Sequence, residues 1–326
     1  MTCLFNNLGN VMGVTLKDIA KEAGVSTALV SYHLNGSKAG WMSEETRNRI
    51  DAAIRKLNYK PNQHARSLRT GRSRCIGMLI AQISNPYFAH LAEEALEAAR
   101  EREYSLIFGI TKYSSREKGK VLEFLIRNRI DALLSCSSLT GIPELRLLQE
   151  NHLPVLRVGY PEPDAISLLD QVESALEEAC RYLKERGHQN IFCFFDTQFP
   201  WNQQLDTVAE KTKTEVIHHM YDSPEQLQMI FRYIAETRPK AIILNGRSLY
   251  DLLSVIQQLN NYSPDIIIGQ DEFHTIRESP LIVGGILTNT TLKARRGIEL
   301  LIDCLEHPEL PRQGQVMLPP AKFVCC

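Results

Sequence analysis

The chain has 326 residues, 44% apolar and 23% charged, with a net charge of −1, which points to two or three folding units of ordinary globular composition. It holds no run of apolar residues long enough to read as a membrane-spanning helix, and its first residues lack the basic and apolar stretches of a secretory signal. The charge is unevenly placed: residues 14–74 carry twelve Lys/Arg against five Asp/Glu, a net of +7, while the remainder nets −8, so a polyanionic partner suits the amino-terminal part alone.

Residues 1–13 are expected to form a disordered extension, with Met12 as an alternative start. Three short helices are predicted in the basic head that follows. Thr15 precedes LKDIAKEA, in which Leu16, Ile19, Ala20 and Ala23 recur at helical spacing. Asp18, three residues after Thr15, makes a capping-box start. Gly24 allows the left-handed turn that ends a helix, and Ser26 can N-cap the next. The second helix, TALVSYHL, turns Leu29, Val30 and Leu34 inward. Ser43 opens a third, whose Ile50, Ala53, Ile54 and Leu57 close a small core. Two helices joined by so short a turn read as a helix-turn-helix, which presents its second helix to the DNA major groove.

The segments VTLKDIAKEAGVS, VSYHLNG, SEETRNRI, LNYKPN and ARSLRTGRS stand in this order. Together they make the chain resemble the LacI/GalR family of bacterial repressors, densely over residues 14–74 and more loosely to the carboxyl end. The resemblance implies an α/β protein: a three-helix head, a hinge helix, and a two-lobed sensor with parallel sheets, like a periplasmic binding protein. It implies a head over 14–60, a hinge over 61–73 and an effector-binding and dimerisation domain over 74–326. Lobe 1 is expected over 74–162 and 286–316, and lobe 2 over 163–285 and 317–326.

Carried over by position, the resemblance also implies roles. Thr27, Ala28 and Tyr32 take the places that read base edges. Leu16, Ser26, Ser31, Asn35, Ser43, Thr46, Tyr59 and Asn62 take those that hold phosphates, a task suited to short hydroxyls and backbone amides. Tyr32 replaces the arginine common at its place, so the DNA site read need not match a relative's. The loop NGSKAGWMSEE is two residues longer than is usual, which alters a surface turn or lets Trp41 touch the DNA backbone. In the hinge, Leu68 falls where the family wedges a leucine between base pairs from the minor groove. Ala65 lets two hinge helices approach, and Arg66 adds charge. A paired wedge implies a homodimer on a pseudo-palindrome of double-stranded DNA. His64 reads as a packing or solvent-facing residue.

After Arg74 strands and helices alternate: CIGMLIA, SLIFGI, DALLSC, LPVLRVG, NIFCFF, TEVIHHM, AIILN and DIIIG read as buried strands between helices, the pattern of parallel sheets. The chain is expected to cross between lobes near 161–168, near 286–290 and near the carboxyl end. Ligands bind at the carboxyl ends of such strands. There the resemblance places Asn85, Tyr87 and Phe88, and also Asp271, as contacts for a small-molecule effector, a carbohydrate among the candidates. Tyr87 and Phe88 suit lobe or subunit packing as the alternative. The family's RxxGF segment is missing after NIFCFF, and its Asn-Asp pair reads Asn245-Gly246 here. Trp201, Asn202, Gln203 and Gln204 then line an altered pocket, or the ancestral ligand is lost.

The eight cysteines show neither CxxC nor a Cys/His ligand spacing and fit buried, reduced thiols of a cytosolic protein without a metal or other cofactor. No P-loop, strand-borne GxGxxG or HExxH is present, and His188 reads as structural, so an enzyme is not expected. An exported sugar-binding protein would leave the basic head unexplained. A DNA-binding regulator with or without an effector remains.

Overall fold

In the computed structural model the described residues are 14–34, 42–59, 71–112, 114–137, 139, 143, 145–196, 201, 204–221, 223–245, 248–269 and 279–325. The chain divides into two compact units, residues 1–72 and 73–326.

In the first unit, α1 (Leu16–Ala23), α2 (Thr27–Leu34) and α3 (Glu44–Lys56) enclose a core of Ile19, Ala20, Ala23, Val30, Ile50 and Ala53. Each boundary has a local cause. The Asp18 carboxylate accepts from the Thr15 N–H at 2.8 Å and from its hydroxyl at 2.7 Å, which holds that carboxyl below its usual range. Gly24, at φ 64°, ends α1, and the Val25 N–H returns to the Ala20 carbonyl at 2.9 Å, a left-handed cap that costs glycine little. Ser26 Oγ then accepts the Leu29 N–H at 3.2 Å to start α2. Lys56 pairs with Glu22 at 2.7 Å, and His33 of α2 meets Asp51 of α3 at 2.7 Å.

The second unit holds two six-stranded sheets. The first has the order β11-β5-β4-β3-β1-β2, all parallel: β1 (Cys75–Ile80), β2 (Ser105–Ile110), β3 (Ala132–Ser135), β4 (Val155–Val158), β5 (Ile166–Gln171) and β11 (Gly314–Pro320). Helices α4 (Pro86–Glu101) and α11 (Thr290–Glu306) cover one face, and α5 (Ser115–Arg127) and α6 (Leu145–Glu150) the other. The second sheet has the order β12-β10-β9-β8-β6-β7: β6 (Asn190–Asp196), β7 (Glu215–Tyr221), β8 (Ala241–Asn245), β9 (Asp265–Gly269), β10 (Ile282–Leu287) and the antiparallel β12 (Lys322–Cys325). Helices α7 (Glu173–Glu185) and α8 (Leu205–Thr212) pack on one face, and α9 (Pro224–Thr237) and α10 (Leu249–Gln257) on the other. Small residues let α4 and α11 lie close to the first sheet: a Cβ on Gly297 would stand 2.8 Å from Leu134 Cδ1. Among the described residues no helix is long and apolar enough to cross a membrane.

Three expected boundaries move. Residues 166–171 form β5 of the first sheet, so lobe 1 runs to Gln171 rather than 162 and the first crossing falls at 171–173, not at 161–168. The reason is a partner distant in sequence: β5 pairs with β4 on one side and with β11 on the other, Gly314 standing opposite Ile166. For the same reason lobe 1 keeps its last strand to Pro320, not 316, while Ile286 and Leu287 belong to lobe 2 as the end of β10. The crossings meet: the Ala321 N–H donates to the Gln171 carbonyl at 2.7 Å, and Gln171 Nε2 to the Leu318 carbonyl at 2.5 Å.

Candidate nucleic-acid interface and effector site

On α2 the buried Val30 faces the head core, while Ser26, Thr27 and Ala28 at the amino end are exposed, and Tyr32 is 40% exposed one turn on. Ser31 lies half-buried beside them. This end of the helix offers hydroxyls, an apolar methyl and a phenol to a surface, backed by a rigid core. Leu16 and Tyr59 pack partly buried on that core. Ser43 and Thr46 meet at the start of α3, their hydroxyls 2.9 Å apart, with the Thr46 N–H donating to Ser43 Oγ at 3.3 Å. Asn35, Trp41, Asn62, His64, Ala65, Arg66 and Leu68 lie outside the described residues.

In the second unit, Asn85 is buried and caps α4 by accepting the Tyr87 N–H at 2.9 Å. Pro86 at the first helical position supports the same start. The rings of Tyr87 and Phe88 are also buried, in an edge-on pair with centroids 5.2 Å apart within the first-lobe core. Burial pushes the Tyr87 phenol well up. Trp201 is a core residue of the second lobe, edge-on to Phe195 at 6.1 Å and so close to Gly269 that a Cβ there would meet its ring at 2.6 Å. Asp271, Asn202, Gln203, Gly246 and Arg247 lie outside the described residues.

The structure adds charged residues that no sequence motif marks. Lys293 of α11, 1% exposed, pairs with Asp170 of β5 at 2.7 Å and donates to Thr288 Oγ1 at 3.3 Å. It thereby ties two of the inter-lobe crossings together, with the Tyr87 ring 5.4 Å away. Arg157 of β4 is fully buried next to Glu162 and Tyr160. Burial pushes the Cys136 thiol up to about 12 against the opposing charges of Arg157 and Lys293. The one signal in the sequence was a charge inside an apolar run, as in LPVLRVG. A cavity of about 580 Å³ opens at the crossings, lined by His90, Thr288, Asn289, Thr291, Pro320 and Lys322. A second, of about 490 Å³, lies at the amino ends of the lobe 2 strands beside Asn190 and Lys240, away from the ends that bind ligands in such sheets. Among the described residues no group of three or more His, Cys, Asp or Glu side chains is placed to hold a metal ion.

Comparison with known proteins agrees with both units. Residues 15–62 match the family "Bacterial regulatory proteins, lacI family", and residues 73–212 match "Periplasmic binding proteins and sugar binding domain of LacI family". The chain is 36% identical over 181 residues to the HTH-type transcriptional repressor PurR of Escherichia coli O139:H28, covering 54% of this chain and 52% of that protein. It is 35% identical over 182 residues to the ribose operon repressor of E. coli K12, covering 55% of this chain and 54% of that one. The chain thus spans about half the length of the curated relatives it matches. In fold it is similar to the lac repressor dimer bound to operator and the anti-inducer ONPF, with a TM-score of 0.79 at 18% identity, covering 96% of this chain and 98% of that one.

Proposed function

Since the chain belongs to the lacI family of bacterial regulatory proteins, we propose that it is a sequence-specific transcription regulator, a repressor, acting as a homodimer on a pseudo-palindromic operator. The observation that carries this is the exposed amino end of α2, where Ser26, Thr27, Ala28 and Tyr32 reach the surface of a head of net charge +7. Thr27, Ala28 and Tyr32 read base edges in the major groove. Ala28 offers only a methyl contact, as to thymine, and Tyr32 a phenol. Leu16, Ser26, Ser31, Asn35, Ser43, Thr46, Tyr59 and Asn62 position the backbone. Ala65, Arg66 and Leu68 form the hinge that enters the minor groove.

The second unit is the sensor. Asn85, Tyr87, Phe88 and Asp271 mark its effector site at the carboxyl ends of the strands, with Lys293 and Asp170 holding the crossings beside it. A ligand that favours one lobe arrangement shifts the population and so changes DNA affinity. The effector is a small molecule, a carbohydrate still among the candidates. Pairing of two copies is supported by the exposed apolar side chains Phe108 and Ile110 on the edge strand β2 and Ile217 and Met220 on the edge strand β7, since open apolar edges invite a partner. Titrating the full chain with duplex DNA at several salt concentrations tests the reading. The affinity falls linearly on a logarithmic plot against salt and is retained against random competitor DNA. Binding that random DNA abolishes would contradict it.

A further inference from the structure

Arg157 stands next to the last residue of β4 and has no solvent exposure. Strand alternation sends it to the α5 face of the first sheet, where its register partners are Ser135 of β3 and Ser167 of β5, both buried. None of its three side-chain nitrogens finds a hydrogen-bond acceptor among the described residues. Glu162 comes to 3.9 Å, near enough for charge attraction and too far for a hydrogen bond, and accepts the Leu139 N–H instead. Ser135 donates to the Ser137 carbonyl, and the Ser167 hydroxyl receives the Glu162 N–H. The Tyr160 ring lies over the guanidinium at 4.5 Å. Lys118, on the opening turns of α5, is a second buried cation. Burial disfavours its charged form, and so does the positive charge of Arg157.

A guanidinium stays charged throughout the physiological range and presents five N–H donors in a flat fork. Buried donors are almost always satisfied, so three unpartnered nitrogens on one side chain call for an acceptor. A flat fork beside a second cation matches a planar or tetrahedral oxyanion. The carboxyl end of β4 is also the end of the sheet at which ligands bind.

We propose that Arg157 anchors the oxyanionic group, carboxylate or phosphate, of the small molecule bound by the first lobe, with Lys118 as second cation and Tyr160 swinging off the guanidinium to admit it. This rests on reading the second unit as an effector sensor. It also removes neutral sugars from the preferred ligands and leaves sugar phosphates and sugar acids.

Calorimetric titration of the full-length protein with inorganic phosphate, and separately with malonate, at constant ionic strength and with chloride as control, tests the anchor. At least one of the two anions binds saturably, and which one does so identifies the group. Arg157→Met loses that binding by roughly tenfold or more, and Arg157→Lys, which keeps charge but not the fork, falls between. Arg157→Met leaves the buried Glu162 carboxylate without the cation 3.9 Å away, so it melts lower whatever the role of the arginine, and the titration decides. Finding neither anion bound above the chloride control overturns the proposal. So does anion binding that survives unchanged in Arg157→Met. Binding that depends on Arg157 but leaves DNA affinity unmoved keeps the anchor and removes the effector reading. DNA release by a neutral sugar, with neither anion bound, does the reverse.

Discussion

Arg49 of α3 donates from Nη2 to the carbonyl oxygens of Ala23, at 2.5 Å, and Gly24, at 3.1 Å, so the third head helix clamps the turn that aims the second. The turn has no room for a side chain: Gly24 sits at φ 64°, and a Cβ there would stand 2.6 Å from Arg49 Nη2. Gly24→Ala therefore adds left-handed strain of about 1–2 kcal/mol and displaces the clamp. Arg49→Ala removes charge-assisted hydrogen bonds worth about 1.5–3 kcal/mol. Hydrogen exchange of head amides should show both losses, and the double variant should lose less than the sum because both act on one contact. Strict additivity would separate the two residues.

On the proposed function, the head and the hinge make different demands on DNA. Replacing Leu68 with Ala should weaken operator binding markedly in a gel-shift titration and leave the melting of the second unit unchanged. Replacing Ala28 or Tyr32 should instead change which base pairs are preferred, by about 1–3 kcal/mol at the contacted position. Operator affinity unchanged in Leu68→Ala would remove the hinge role.

The Lys293–Asp170 pair, with its two side chains 1% and 8% exposed, joins α11 to the first crossing between the lobes. Losing either partner strands a buried charge. Lys293→Met and Asp170→Asn should each destabilise by about 3–5 kcal/mol, and an apolar double replacement should recover most of it. Denaturant midpoints of the three variants decide this. A double variant as unstable as the sum of the singles would show that the pair is not the cause.

Acid sensitivity has a defined contributor in the second lobe. Burial raises the Asp265 carboxyl, but hydrogen bonds from Arg186 at 2.6 Å and from His188 at 2.8 Å outweigh it, and the net shift is downward. A carboxylate lowered in the folded state stabilises fully above its unfolded value of about 3.9. That contribution disappears as the pH falls through the lower folded value. Melting temperature followed from pH 6 downward should therefore decline less steeply in Asp265→Asn than in the parent, and identical slopes would exclude the role.

Local patterns carried much of this structure. Thr15, Asp18, Gly24 and Ser43 marked head boundaries because caps are set by neighbours in sequence, and CIGMLI, NIFCFF and DIIIG were plain as buried runs. β5 was not, because ISLLDQ gains its identity from β11, nearly 150 residues later, and no local pattern encodes that pairing. The same limit applied to the second unit. Tyr87 and Phe88 were visible as an aromatic pair, yet only the packed core shows their rings buried. Trp201 suggested a pocket wall, and the fold spends it against Gly269. Arg157 and Lys293 stood in view as charges within apolar patterns. Their meaning depended on which acceptors surround them, and acceptors arrive from distant strands.

On the proposed function, two copies of the head recognise one particular DNA sequence. Selecting fragments of genomic DNA on the full-length protein, then footprinting the enriched ones, tests it directly. The predicted result is one motif of two inverted half-sites, whose base preferences change when Thr27, Ala28 or Tyr32 is replaced. Enrichment without a common motif, or a motif indifferent to those three residues, would contradict it.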